Sequence, residues 1–262
     1  MKKVNKSPRI PPLLDAYRSA NLNDDWDQFC GNDQNGKKEI QTTLRADQRG
    51  VCAYCENQLA QFHGHGLDDF RVEHFHSKKR PPNPPPNWSL DWTNLLAVCT
   101  GGNARYVGNP ALCTTPDHSC DVPKGDKNLV DVILDVQIDI PAFPPIFEFD
   151  EQGGMSVGQL CPLSLQGKAQ SSIDELRLSP MPCKDIPTPR LIRFRRTVIE
   201  TLREQMGELL GQGLNDAQAA SQLAETYFAD SQASPWPSFF SCIRWYLGPA
   251  AETRLHAINY NG

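Results

Sequence analysis

Cys52 and Cys55 stand three residues apart, and Cys99, Cys113 and Cys120 follow within the next 65 positions. A C-x-x-C pair turns tightly enough to aim two thiolates at one point, which is half of a tetrahedral zinc site. The other half has to come from the later cysteines. Cys99 is followed three residues on by Gly102 rather than by a cysteine, so its partner is Cys113 or Cys120. Cys120 is preferred because Cys120-Asp121-Val122-Pro123-Lys124 runs directly into an expected helix start. Residues 100–119, rich in Gly, Asn, Thr and Pro, then form a loop inserted within the second knuckle. A redox dithiol is the competing use of Cys52 and Cys55, but it expects the pair at a helix N-terminus after a βαβ strand, and no such strand is visible. Cys30, Cys161, Cys183 and Cys242 read as small buried apolar side chains.

Between the two knuckles, Val72-Glu73-His74-Phe75-His76 puts a carboxylate beside an imidazole on an expected strand. Adjacent strand residues face opposite sides, so a distortion or a strand end must bring both to one centre. Asn94 precedes a short apolar strand, and Asp121 directly follows the last cysteine. Lys78, Lys79 and Arg80 come just after the Glu-His pair, and Arg105, Lys124 and Lys127 complete a candidate local patch of positive charge. Such a patch suits phosphate.

The elements that must hold these groups are short. The chain has 262 residues with a hydrophobic share of 39%, enough for one core or two, and its 22 prolines break it into small pieces. A long coiled coil or a simple bundle is excluded. A net charge of −5 gives no global basic surface. Nine cysteines are an odd number and too few for a disulfide scaffold, and no apolar run approaches the ~18 residues of a membrane span. These features predict a reduced, cytoplasmic protein with no membrane partner.

Lys37 to Gln48 reads as a helix after a turn at Asn35-Gly36, with Ile40 and Leu44 on one face. Strands are expected at Val72 to Phe75, Leu95 to Val98 and around Ile146 to Asp150. Helices are expected at Ser171 to Leu178, Arg190 to Leu210, Asn215 to Ala229 and Ser238 to Leu247. The predicted class is α+β in three parts: an N-terminal arm and helix over 1–50, a small metal-stapled unit over 51–130, and a mainly helical region over 131–262.

The ordered set Cys52-x-x-Cys55, Glu73-His74-Phe75 with Lys78, Trp92-Thr93-Asn94-Leu95-Leu96 with Cys99, and Cys120-Asp121-x-x-Lys124-Gly125 resembles the HNH nucleases of the His-metal finger group. More closely, the leader Leu44 to Glu56, the E-H-F-H-S-K stretch and the C-D-x-x-K-G-D ending look like the PtuB-like HNH proteins of retron and Septu antiphage systems. The likeness covers roughly residues 1 to 180. It implies a ββα-metal core with a structural Zn²⁺ on Cys52, Cys55, Cys99 and Cys120. His74 matches the general base, Glu73 and Asp121 match the ligands of a catalytic Mg²⁺ or Mn²⁺, and Asn94 matches the Asn that braces the loop and orients the base. Hard oxygen ligands favour such ions over a zinc-like one.

The resemblance implies a phosphodiesterase acting on DNA or RNA, with Lys78, Lys79, Arg80 and Lys124 toward nucleic acid. It further implies a PtuA-like ATPase partner and a retron reverse transcriptase and noncoding RNA complex. Two departures stand out. Asp121 occupies a position where the family often has His or Asn, with Asn103 as the other candidate ligand, and Ser77 stands where related motifs often carry Pro. The rival reading is a non-catalytic zinc module that binds nucleic acid or protein.

Overall fold

The computed structural model describes residues 1–59, 70–78, 87–102, 117–229 and 234–262. Three helices open the chain: α1 (Pro12–Ala20), α2 (Trp26–Asn32) and α3 (Gln34–Asp47). Pro12 sits in the first turn of α1, where its missing N–H is no loss. Asp25 caps α2 with a full capping box to Gln28. Asp33 caps α3 by accepting from the Gly36 amide at 2.8 Å. Asn35-Gly36, expected as a turn, therefore lies inside the first turn of α3. A Cβ at Gly36 would collide with the Asp33 carboxylate and the Phe29 ring, so glycine here permits the close approach of α2 and α3. Ile40 and Leu44 are fully buried, as their spacing predicts.

Strand β1 (Phe70–His74) pairs antiparallel with β2 (Leu95–Cys99), and a one-turn helix, α4 (Asp121–Lys124), follows the second knuckle. A second small hairpin joins β3 (Phe147–Phe149) to β4 (Met155–Val157). The helices α5 (Leu163–Glu175), α6 (Arg190–Gly211), α7 (Asp216–Tyr227), α8 (Phe240–Leu247) and α9 (Pro249–Ala257) complete the chain. The observed class is α+β. The first two helices and α9 have no counterpart among the expected elements, and α5 begins eight residues earlier than expected.

One apolar core runs from Met1, Val4 and Leu14 through Ile40 and Leu44, the Cys52–Cys55 knuckle and strand β2, to Leu191, Ile199 and Cys242. Residues from all three expected parts thus share a single interior. A second cluster gathers Val51, Leu202, Phe228, Trp236, Phe240 and Tyr260. Phe228 meets Phe240 edge-on at 5.0 Å, Trp236 meets it tilted at 4.9 Å and Tyr260 stacks on it at 5.2 Å, contacts worth roughly 0.5–1.5 kcal/mol each beyond the area they bury. Among the described residues, no helix is long and apolar enough to cross a membrane.

Helix α6 carries the expected apolar stripe, with Leu191, Leu202 and Leu209 buried. The same face also buries Arg190 and Arg195. Arg195 donates to the carbonyls of Leu178 (2.8 Å) and Gly153 (3.3 Å), which is how a guanidinium is accommodated inside. A hydrophobicity pattern scores arginine as surface and misses this.

Candidate active site and metal centre

The site is assembled on β2. Gln48, at the end of α3 and 1% exposed, donates to the carbonyls of Val51 (2.9 Å) and Ala97 (2.7 Å) and accepts from the Ala97 amide (2.7 Å). The Ala53 amide donates to the Ala97 carbonyl at 3.0 Å. These bonds dock the Cys52–Cys55 turn against the middle of the strand, whose last residue is Cys99. Cys120 arrives from the other side with a positive φ of 62°, its amide held by the Leu176 carbonyl at 2.8 Å.

The four sulfurs of Cys52, Cys55, Cys99 and Cys120 are buried and lie within 4.8 Å of one another. Measured separations are 3.9 Å for Cys52–Cys120 and 3.6 Å for both Cys55–Cys99 and Cys99–Cys120. A tetrahedron with Zn–S bonds of about 2.3 Å has edges of about 3.8 Å, so the donor set and its size fit zinc. Burial drives the Cys52 and Cys120 thiols well above their ordinary range, whereas hydrogen bonds from Cys120, Cys52 and Cys99 pull Cys55 well below it; a fully ionised set at this depth would need a cation beside it. Arg190 lies beside the cluster, donating to Ser119 Oγ at 2.6 Å, and that hydroxyl is 3.6 Å from the Cys120 sulfur.

At the end of β1, Glu73 pairs across to Leu96 and His74 to Leu95. Burial pushes Glu73 up to about 7, with the neighbouring Lys124 opposing the rise. Burial also lifts Asp121, to about 6, opposed by Arg71 at 3.2 Å. His74 is 6% exposed, and desolvation lowers it to about 4, so the ring is neutral at cellular pH. Its Nε2 lies 3.0 Å from the Ser89 carbonyl. A carbonyl can only accept, which places the hydrogen on Nε2 and leaves the Nδ1 lone pair as the basic one. Trp26 packs edge-on against the ring at 5.1 Å.

The likeness to known proteins points the same way. Over 103 residues the chain is 38% identical to a protein of Escherichia coli named "Retron Ec83 putative HNH endonuclease". That stretch is 39% of this chain and 38% of the relative, so the chain matches well under half of that protein's length. No protein-family model matches.

Asn94 is 1% exposed and fully engaged. Its amide nitrogen donates to the carbonyls of His76 (3.0 Å) and Trp88 (2.7 Å), and its oxygen accepts from the His76 amide (2.6 Å). It clamps the turn that follows His74 to the segment that precedes β2. The Asn94 carbonyl also accepts from the Phe75 amide at 3.0 Å. His76 stacks flat on Trp88 at 3.7 Å.

The expected nucleic-acid face is only partly in view. Lys78 is about one-third exposed and paired with Asp27 at 2.7 Å. Lys79, Arg80, Asn103, Arg105 and Cys113 lie outside the described residues. Lys124 departs from expectation: it is 1% exposed, with its ammonium 2.6 Å from Glu73 and 2.9 Å from the His74 carbonyl. The single turn of α4 sets residue 124 on the same side as residue 121, which turns the lysine inward onto β1. That i,i+3 phase was present in the sequence. No spacing rule would have found Gln48, Trp26 or Ser89, which act from distant segments.

The carboxylates can host a hard divalent cation. Asp121 Oδ1 is buried and has no hydrogen-bond partner, an acceptor left open beside a second carboxylate whose own ionisation Asp121 opposes. Glu73 and Asp121 are the residues that would hold it.

Proposed function

We propose that this protein is a metal-dependent endonuclease of the HNH type that hydrolyses phosphodiester bonds in nucleic acid. The observation that carries the reading is the setting of His74 at the end of β1: its imidazole Nε2 faces the Ser89 carbonyl at 3.0 Å, which leaves Nδ1 as the basic nitrogen. In this reading His74 Nδ1 takes a proton from water as the water oxygen attacks phosphorus. The P–O3′ bond breaks, and the leaving oxygen takes a proton from solvent. Asn94 keeps the turn after His74 in place while this happens, as a positioning residue. A Mg²⁺ or Mn²⁺ ion, when bound, supplies the neutralisation of charge on phosphate and leaving oxygen. Glu73 and Asp121 would hold that ion, and Cys52, Cys55, Cys99 and Cys120 would hold a Zn²⁺ that stabilises the scaffold.

Lys78, with Lys79 and Arg80, is assigned to phosphate contact. Lys124 is assigned to charge balance at Glu73 rather than to nucleic acid. On the resemblance of its motifs to the PtuB-like HNH proteins, the activity is assigned to an antiphage system, with a PtuA-like ATPase and a retron reverse transcriptase and noncoding RNA as partners. The test is a cleavage assay with Mg²⁺ or Mn²⁺ on duplex DNA, single-stranded DNA and RNA, with and without a PtuA-like ATPase, followed by sequencing of the ends. Cleavage that vanishes in a folded His74→Ala protein is expected; a variant that cuts as well as its parent overturns the mechanism.

A second reading, a non-catalytic zinc-binding module, draws on one specific observation. Glu73 and Asp121 are already neutralised by Lys124 and Arg71. That reading predicts no cleavage of any of the three substrates with the ATPase present.

A further inference from the structure

Arg190, the first residue of α6, is only 1% exposed. Among the described residues its guanidinium makes no ion pair with a carboxylate, and its Nε has no hydrogen-bond partner. A buried cation without a counter-charge is destabilising, so its placement here calls for a compensating anion. Its backbone amide is held by the Asp117 carboxylate, and its Nη2 donates to Ser119 Oγ at 2.6 Å. A guanidinium has no acceptor, so the serine oxygen accepts in this bond and the hydroxyl hydrogen is left for another partner. The Cys120 sulfur lies 3.6 Å from that oxygen. A hydroxyl that donates to a thiolate makes a charge-assisted bond. The contacts therefore run in one direction, from the cation through the hydroxyl to a sulfur of the metal cluster.

Four thiolates outweigh the charge of one divalent ion, so a loaded Cys52, Cys55, Cys99 and Cys120 site is a net anion enclosed in the core. We propose that Arg190 is a positioning residue of this centre, acting through Ser119 as the counter-charge of the metal-bound Cys120 sulfur. This rests on the assignment of a metal to the four cysteines given above. Cation and anion then answer one another's burial, and the N-terminus of α6 is tied to the second knuckle by the Asp117 and Ser119 contacts together. A cysteine sulfur engaged in this way is a weaker electron donor to its metal, which suits a centre that holds a scaffold together rather than one that reacts.

The test is loading of the full chain with Co²⁺ or Zn²⁺ under reducing conditions. Co²⁺ bound by thiolates gives a sulfur-to-metal charge-transfer band, whose energy falls when a sulfur loses a hydrogen bond. Ser119→Ala is expected to move that band to longer wavelength and to weaken zinc binding about 10- to 100-fold in competition with a chromophoric chelator. Ser119→Thr keeps the hydroxyl and should keep the parent's band. Arg190→Met removes the cation and should move the band in the same direction as Ser119→Ala, so either folded variant reads the proposal. A merely structural role would lower stability and leave the band in place. A folded Ser119→Ala or Arg190→Met protein with the parent's band overturns the role of Arg190 and Ser119 alone. A parent protein that takes up neither Co²⁺ nor Zn²⁺ overturns the metal centre itself.

Discussion

The ammonium of Lys124 lies 2.6 Å from a carboxylate oxygen of Glu73, and their side chains are only 1% and 12% exposed. A lysine so enclosed is held by its partners: the Glu73 carboxylate on one side and the His74 carbonyl on the other. Removing one member leaves an uncompensated buried charge, which typically costs about 3–5 kcal/mol. Lys124→Met should therefore lower stability by about 3 kcal/mol in urea unfolding. Mn²⁺ should restore more stability to the variant than to the parent, since the cation then takes over the missing charge. A variant as stable as its parent, with the same response to Mn²⁺, would show that the pair contributes nothing.

Asn94 makes three hydrogen bonds to backbone with one amide group. Alanine at this position strands two carbonyls and one amide in the interior, at about 1–3 kcal/mol for each group that water cannot reach. Asn94→Ala is expected to lose at least about 2 kcal/mol by chemical denaturation. Asn94→Asp should fare no better, because a carboxylate would face the carbonyls of His76 and Trp88 in place of a donor. An aspartate variant matching the wild-type midpoint would refute this account.

The sulfur tetrahedron predicts about one tightly held zinc per chain by elemental analysis of the purified protein. Structural zinc in small units supplies apparent binding energies of about 10–16 kcal/mol at neutral pH, so its loss should be a folding event. Cys120→Ser and Cys52→Ser are expected to be insoluble or unfolded rather than folded and inactive. A zinc-free parent with a freely reversible disulfide between Cys52 and Cys55 would favour redox chemistry instead.

A buried lysine, Lys2, and a half-buried one, Lys6, give stability a definite pH slope. Burial lowers Lys2 to about 8, with Glu56 offsetting part of the cost. Lys6 is lowered to about 7 by burial, against the pull of Asp47, while its ammonium sits 3.8 Å over Trp92 and donates to the Leu95 carbonyl. Below their folded values both lysines are protonated in either state and the burial cost is fully present. Between there and 10.5, the ordinary lysine value, the unfolded chain binds more protons, so stability rises with pH. The urea midpoint of the parent should climb more between pH 7 and pH 9 than that of a Lys2→Met, Lys6→Met protein. Parallel profiles would contradict the lowered values.

The two strands, the cysteine knuckle and the long helix were legible because their signals are local: a short apolar run, a ligand spacing, a stripe at helical period. Asn94 was legible as a brace through family likeness, though its three partners were not. What could not be read was whatever depends on distant segments meeting. Gln48 fills a strand's hydrogen bonds from the end of a helix, and Ser89 sets the tautomer of His74 from fifteen residues away. Lys124 was read by its charge, which suggests surface, when its phase on a single helical turn points it inward. Arg190 and Arg195 mislead in the same manner, since only the carbonyl and hydroxyl acceptors around them make burial tolerable.

The knuckle that begins at Cys52 is flanked by bonds to the far end of the chain. The Trp236 amide donates to the Arg49 carbonyl at 2.8 Å, the Phe239 amide to that of Glu56 at 2.9 Å, and Ser241 Oγ to the Glu56 carboxylate at 2.6 Å. Glu56 is itself only 2% exposed, so excising residues 51–130 would open its buried carboxylate to water and strip it of these donors. The metal-binding unit proposed for these residues is consequently a poor cassette for transplantation. Anyone grafting it onto another protein would have to carry the C-terminal helices along, and a fusion boundary placed between residues 234 and 241 would sever the seam that holds the Cys52–Cys55 turn.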